Sequence, residues 1–271
     1  MFIIVSAFIS KVNQQKSIEK YIDYGNKLLA AKINDLKIVF LERAIYKTYY
    51  GRDIHVNYPF IYAGKTYDFT IENNTIFVMF EKHDNYLYNY ADKLTAFAVN
   101  TDNPTKDTID YMFVQCHKTE WLHMAIHLTQ HIAEERILTI ATKPHFMWLD
   151  FGIYHIFKKD DVFYAALAQL NTTQTPTNNK VRMGSCIHPR NTYHTDIYKT
   201  IAWYFAGGVF GGCSEAITQL AERMKIECIH IIEERNHLMW EVNVWYLIYL
   251  NHPDLFDPYL CDHNPSILLN Y

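Results

Sequence analysis

A run at residues 2–9, apolar but for Ser6, returns at Leu36–Leu41, apolar but for Lys37, and these two runs constrain the fold more than any other feature. A strand with water on one face alternates apolar with polar side chains; a run apolar at nearly every position, on both sides of the pleat, must be covered on both faces. Between the two runs, residues 16–31 place Ile18, Tyr21, Ile22, Leu28 and Leu29 at helical spacing. Strand, helix, strand in that order opens an α/β sheet with right-handed crossovers. Further strands are predicted at 75–81, 144–149 and 162–170, and helices at 107–115, 121–136, 214–225 and 236–250, with Pro253 and Pro258 breaking the last. Residues 47–72, rich in Tyr, Gly and Asn, read as an irregular excursion or a hairpin. Residues 171–180 (NTTQTPTNNK) read as a mobile loop too short to link domains. No internal repeat is present, so residues 1–271 form a single α/β domain.

Composition narrows the classes of function. With 49% hydrophobic and 20% charged residues the chain is globular, and a formal charge of −4 supplies no basic field for nucleic acid. The 21 Tyr, 16 Phe and 5 Trp exceed what a core needs, and some suit stacking on sugars or bases, although packing explains most of them. Five cysteines, Cys116, Cys186, Cys213, Cys228 and Cys261, are an odd number without a CxxC pair, as expected of free thiols in a reducing compartment. The apolar start lacks a basic flank and a cleavage site, and no apolar run reaches membrane-spanning length. A cytoplasmic protein without a membrane span is the expectation.

Asp150 is the first candidate for chemistry. It follows the apolar residues Phe146 to Leu149 and precedes Phe151-Gly152. In open α/β sheets ligands lie beyond the carboxyl ends of the strands, where a carboxylate can hold Mg²⁺ or Mn²⁺. An aspartate capping the next turn fits the same residues. Phe205 to Gly212 forms a second feature, with four of the nine glycines, Gly207, Gly208, Gly211 and Gly212, falling within six positions. Such a loop lets a ligand approach the main chain, and without a GK[ST] ending it is not a P-loop. Glu241 stands among Leu238, Met239, Trp240 and Val242, where burial disfavours charge and suits a base or a charge stabiliser; an ordinary helix-surface glutamate has the same pattern. His123, His127 and His131 form an i, i+4, i+8 stripe. Beside the core positions Trp121, Ala125, Leu128 and Ile132, with no further ligands in the segment, the stripe reads as structural rather than as zinc. Cys261-Asp262-His263 offers a late metal or phosphate contact.

Taken in order, these segments resemble the HtrL/YibB family of the GT-A clan of nucleotide-sugar glycosyltransferases. The resemblance runs through Val5-Ser6-Ala7-Phe8, residues 16–21, Asn103 to Tyr111, Lys118, Ala125 and, most specifically, Trp148-Leu149-Asp150-Phe151-Gly152. A fainter likeness is to the blood-group type retaining galactosyl- and N-acetylgalactosaminyltransferases, matched by Gly208-Val209-Phe210-Gly211-Gly212 and by Trp240-Glu241 without the His-Asp between. The resemblance implies a mostly parallel, twisted sheet flanked by helices. It implies a nucleotide-sugar as co-substrate lying near Ser6 and Ala7, and a divalent metal, Mn²⁺ or Mg²⁺, on Asp150. Gly207, Gly208, Gly211 and Gly212 would line the sugar pocket, Glu241 would face the anomeric carbon or a glycan or other hydroxyl acceptor, and His263 would complete the coordination. Where the clan carries Asp-x-Asp this chain has one acid, which keeps open a non-catalytic carbohydrate-binding protein on a transferase scaffold. A histidine-rich zinc hydrolase is a third reading.

Overall fold

Both apolar runs become central strands in the computed structural model, which describes residues 1–10, 16–31, 36–51, 58–99, 103–140, 143–170, 178–186 and 196–271. The first run forms β1 (Phe2–Phe8) and the second β2 (Leu36–Leu41), paired in parallel. Helix α1 (Ile18–Ala30) joins them, and its N-cap Ser17 accepts a hydrogen bond from the Lys20 backbone N–H at 3.3 Å. After α2 (Arg43–Tyr49), the hairpin β3 (Tyr58–Tyr62) and β4 (Lys65–Glu72) leads to β5 (Thr75–Met79). Helices α3 (Ile109–Cys116) and α4 (Lys118–Glu134) return the chain to β6 (His145–Leu149) on the far side of β1. Then follow α5 (Asp160–Leu170), β7 (Val181–Ser185), β8 (Phe205–Cys213), α6 (Ser214–Arg235), α7 (Glu241–Asn251), β9 (Phe256–Leu260) and α8 (Ser266–Leu269).

All nine strands share one sheet, ordered β3-β4-β5-β2-β1-β6-β8-β7-β9. Four ladders are parallel (β1·β2, β1·β6, β2·β5, β7·β9) and four antiparallel (β3·β4, β4·β5, β6·β8, β7·β8). This corrects the expected mostly parallel sheet. Strands β4 and β8 run against the rest, and each makes two ladders antiparallel. The block β5-β2-β1-β6 stays parallel, and it is there that the apolar runs needed cover on both faces. Ile3 and Val5 pack with residues of α4, α6 and α7, whereas Phe2 and Ile4 pack with residues of α1, α5 and α8. Strand order reverses at β1: the chain winds outward through β2 and β5, then crosses back to β6. The carboxyl ends of β1 and β6 thus flank a topological switch point, where sheets of this kind open a crevice.

Three local expectations are also corrected. Residues 162–170 form helix rather than strand, because Phe163, Ala166, Leu167 and Leu170 are buried at i, i+3, i+4 and i+7 and Asp160 and Asp161 occupy the first turn. The segment Phe205 to Gly212 is strand β8, held between β6 and β7, rather than a loop. The predicted helix 236–250 splits: Asn236 ends α6 in the left-handed region at φ 50°, and α7 starts only at Glu241. The 47–72 excursion does contain a hairpin, turning on Ala63 and Gly64, both at positive φ. Most of the predicted loop 171–180 lies outside the described residues, as 171–177. Among those described, no helix is long and apolar enough to cross a membrane.

Candidate functional site

A buried lysine ties the two candidate acids together. The Lys118 Nζ lies 3.0 Å from Asp150 Oδ1 and 2.9 Å from Glu241 Oε1, and it donates to the Gly207 carbonyl at 3.0 Å. Three ammonium hydrogens meet three acceptors, so the charge is fully solvated by protein. The side chains of Lys118 and Glu241 are each 3% exposed, and that of Asp150 is 37% exposed. Burial acts to lower the Lys118 pKa, but the Asp150 and Glu241 charges and their hydrogen bonds outweigh it, and the net direction is upward. The ammonium therefore stays protonated.

Each partner is fixed by the element that carries it. Lys118 opens α4 directly beyond His117, the junction with α3. Glu241 opens α7, where the free N–H groups of a first turn favour a carboxylate. Asp150 follows the last residue of β6; its N–H donates to the Gly208 carbonyl at 3.0 Å, and the Trp148 indole Nε1 donates to its Oδ1 at 2.7 Å. Trp148 in turn stacks on Trp121 of α4, with planes 8° apart. Glycine is required at position 207, since a Cβ there would stand 2.3 Å from Glu241 Oε1. The other carboxylate oxygen, Glu241 Oε2, is buried without a hydrogen-bond partner among the described residues.

Around this triad the surface opens in two adjoining lobes. The first, about 350 Å³, lies at the switch point and is lined by Ala7, Phe8 and Ile9 at the end of β1 and by Tyr21, Trp148 and Asp150. The second, about 570 Å³, is lined by Gly207, Gly208, Trp203, Trp240, Glu241 and Asp262. Lys106, Tyr111, Gln115, Lys118, Asp150, His155 and His263 border both. Burial, with the Asp150 charge second, pushes the Tyr21 phenol up to about 12; burial, with Glu241 and Asp150 behind it, raises that of Tyr111 well above its ordinary value. Both remain neutral hydroxyls at the cleft.

The sequence-predicted residues divide. Asp150, Glu241, Ala7, Gly207, Gly208 and His263 all border the cleft. Ser6 does not: it is fully buried in β1 and its hydroxyl donates to the Leu149 carbonyl at 2.7 Å. Gly211 and Gly212 likewise line neither lobe. They pair inside the sheet, where a Cβ on Gly211 would meet the Phe146 carbonyl oxygen at 2.3 Å, so these two glycines serve strand packing. His123 and His127 face each other, Nε2 to Nε2 at 3.2 Å, with His123 Nδ1 2.9 Å from the Tyr62 hydroxyl. His131 packs on Phe60 and Phe69 instead. Lys118 and Lys106 entered the sequence reading only as resemblance positions, without a role. A lysine beside predicted helices reads as solvated, and only the partners brought from β6, β8 and α7 reveal Lys118 as buried.

The metal expectation finds a poor donor set. Asp150 Oδ1 is already used by the Lys118 ammonium and the Trp148 indole, and a cation would share the site with that ammonium. His263 is exposed, with its ring 6.0 Å from that of His155. Among the described residues no group of three or more His, Cys, Asp or Glu side chains is placed to hold a metal ion. By themselves the residues present offer one carboxylate, fewer oxygen ligands than a hard divalent ion needs, and do not fit one without oxygens from a ligand. Compared with known proteins, the chain matches no family model. No curated protein matches it either.

Proposed function

We propose that the protein is a nucleotide-sugar-dependent glycosyltransferase of GT-A type, moving a sugar to a hydroxyl acceptor, in line with its resemblance to the HtrL/YibB family. One observation carries the reading: a cleft at the switch point between β1 and β6 places Asp150 and Glu241 on one buried lysine. The nucleotide occupies the first lobe against Phe8 and Tyr21, and the donor sugar lies over Gly207 and Gly208. Acceptor and sugar stack on Trp203 and Trp240, which face each other edge to plane with centroids 6.1 Å apart. Two carboxylates on one ammonium leave a net negative charge beneath the anomeric carbon, and a preorganised charge of that sign stabilises an oxocarbenium-like transition state. Glu241 is assigned the direct role, since its Oε2 has no hydrogen-bond partner among the described residues. No step is assigned to a metal, because the donor set does not fit one.

Glu241→Gln tests the reading by keeping shape and removing charge. Donor affinity should stay within a few-fold of the parent while turnover, read as transfer or donor hydrolysis, falls roughly a hundredfold. Parental turnover with intact binding would sink the role. A second reading, nucleotide-sugar binding without transfer, is favoured by the occupation of both acids by Lys118. It predicts a parent protein that binds donor and never turns it over.

A further inference from the structure

The cleft carries more cationic side chains than its acids employ. Lys16 and Lys106 are both half-buried and line the first lobe, and Lys106 borders the second as well. Among the described residues neither ammonium lies within salt-bridge distance of a carboxylate. Their neighbours are aromatic faces: Lys16 stands 5.8 Å over the ring of Tyr21, and Lys106 stands 5.8 Å from that of Tyr111 and 5.9 Å from that of Trp240. Burial lowers the Lys106 pKa and the charge on Lys16 lowers it further, and the Asp150 and Glu241 charges, which act the other way, do not make up the difference. Two like charges thus share one cavity wall, half removed from water, and the nearest carboxylates, Asp150 and Glu241, are held by Lys118 rather than paired with either of them. Leaving such groups unpaired is costly, and an anionic ligand between them would relieve both.

We propose that Lys16 and Lys106 form a metal-independent diphosphate site, holding the phosphates of the donor where a divalent ion would otherwise be needed. This deepens the glycosyltransferase reading and rests on it for the identity of the ligand. The site spans the seam of the two lobes, so a diphosphate there joins a nucleoside in the first lobe to a sugar in the second. His263 borders the same seam and can add a ring N–H donor, whereas the His155 ring N–H is already given to the Gly152 carbonyl at 2.6 Å. The arrangement also accounts for the single acid at the end of β6. A second aspartate would serve a cation, and with the charge supplied by ammonium groups it would only compete with the phosphates.

Isothermal titration of the full chain with the diphosphates of uridine, guanosine, adenosine, cytidine and thymidine, and with inorganic pyrophosphate, tests this in EDTA and again in MnCl₂. The expected result is one preferred nucleoside diphosphate bound about equally in both media, with Lys106→Gln and Lys16→Gln each weakening it roughly tenfold or more, the scale of a charge-assisted hydrogen bond. The parent nucleoside, lacking phosphates, should bind all three proteins alike, and unchanged melting temperatures should show that both variants fold. Binding that needs Mn²⁺, or that survives both substitutions, overturns the lysine site and leaves the glycosyltransferase reading standing. Lysine-dependent binding of pyrophosphate with no nucleotide bound more tightly keeps the anion site and overturns the donor reading. No binding of any anion in either medium overturns both.

Discussion

Lys118 and Glu241 are 123 positions apart in the sequence and 2.9 Å apart in the structure, and both side chains are buried. The pair sets the energetics of the cleft floor. Glu241 has been taken almost wholly out of water, whereas Asp150, on the same ammonium, keeps part of its hydration. The two carboxylates therefore depend on Lys118 unequally.

Lys118→Met should destabilise the fold by about 3–5 kcal/mol, the usual cost of leaving a buried charge without its partner. Adding Glu241→Gln to that variant should recover much of the loss, and adding Asp150→Asn should recover less, because Asp150 can still be hydrated. Urea unfolding of the single and double variants measures all three. A Lys118→Met protein within about 1 kcal/mol of the parent would show that the buried pair is worth little, the lower limit seen for ion pairs.

Gly207→Ala puts a methyl group 2.3 Å from Glu241 Oε1 and must move the carboxylate off Lys118. We expect a loss of about 1–3 kcal/mol, as for overpacking in general, together with a fall in turnover. Gly208→Ala is the control. Its methyl would meet the tip of Ile153 at 3.0 Å, a flexible neighbour that can give way, so stability should change less. Equal effects at the two positions would remove the special status of Gly207.

Two buried histidines, His117 and His145, and the half-buried His123 should make the protein acid-sensitive. Burial lowers the pKa of His117 to about 3, and burial with neighbouring cations lowers those of His123 and His145 to about 4. Unfolded, each titrates near its ordinary value of 6.5. Between that value and about 4 the unfolded chain binds more protons, so stability is fully present above 6.5 and is lost as pH falls, by up to about 1.4 kcal/mol per unit for each histidine. Both His117 ring nitrogens lack hydrogen-bond partners among the described residues, and the ring packs against Phe80 and Trp121. His117→Phe should accordingly raise the melting temperature and shrink its drop between pH 7 and 5. An unchanged pH slope would mean that His117 is not held neutral by burial.

The histidine stripe should be expendable. His127 is exposed and touches mainly His123 and Tyr62. His127→Gln should shift stability by no more than about 0.5 kcal/mol and leave turnover unchanged. Loss of activity accompanied by loss of stoichiometric zinc would revive the hydrolase reading.

Central strands and the strand-end acid were legible because burial on both faces leaves a nearly continuous apolar run, broken only by Ser6 in β1 and Lys37 in β2. Residues 162–170 were misread for the same reason: a short apolar run fits strand or helix, and only the spacing of Phe163, Ala166, Leu167 and Leu170 separates them. In β8 the glycines looked like a loop, since sequence cannot show that the space for a Cβ is already filled by the Phe146 carbonyl. Lys118 was the hardest case. Nothing adjacent to it marks burial; its partners come from β6, β8 and α7, and distance along the chain hides them.

Because β8 runs against β6, its first residues arrive where β6 ends, and Leu149 pairs with Val209 next to Asp150 and Gly208. The floors of both lobes thus belong to one hydrogen-bonded plate with no hinge between them. A ligand spanning the cleft meets a stiff anvil, and adjustment falls to the rims that carry Lys106 and His263. Amide protons along 147–150 and 208–211 should accordingly be among the slowest in the molecule to exchange with solvent, opening only when the whole sheet does.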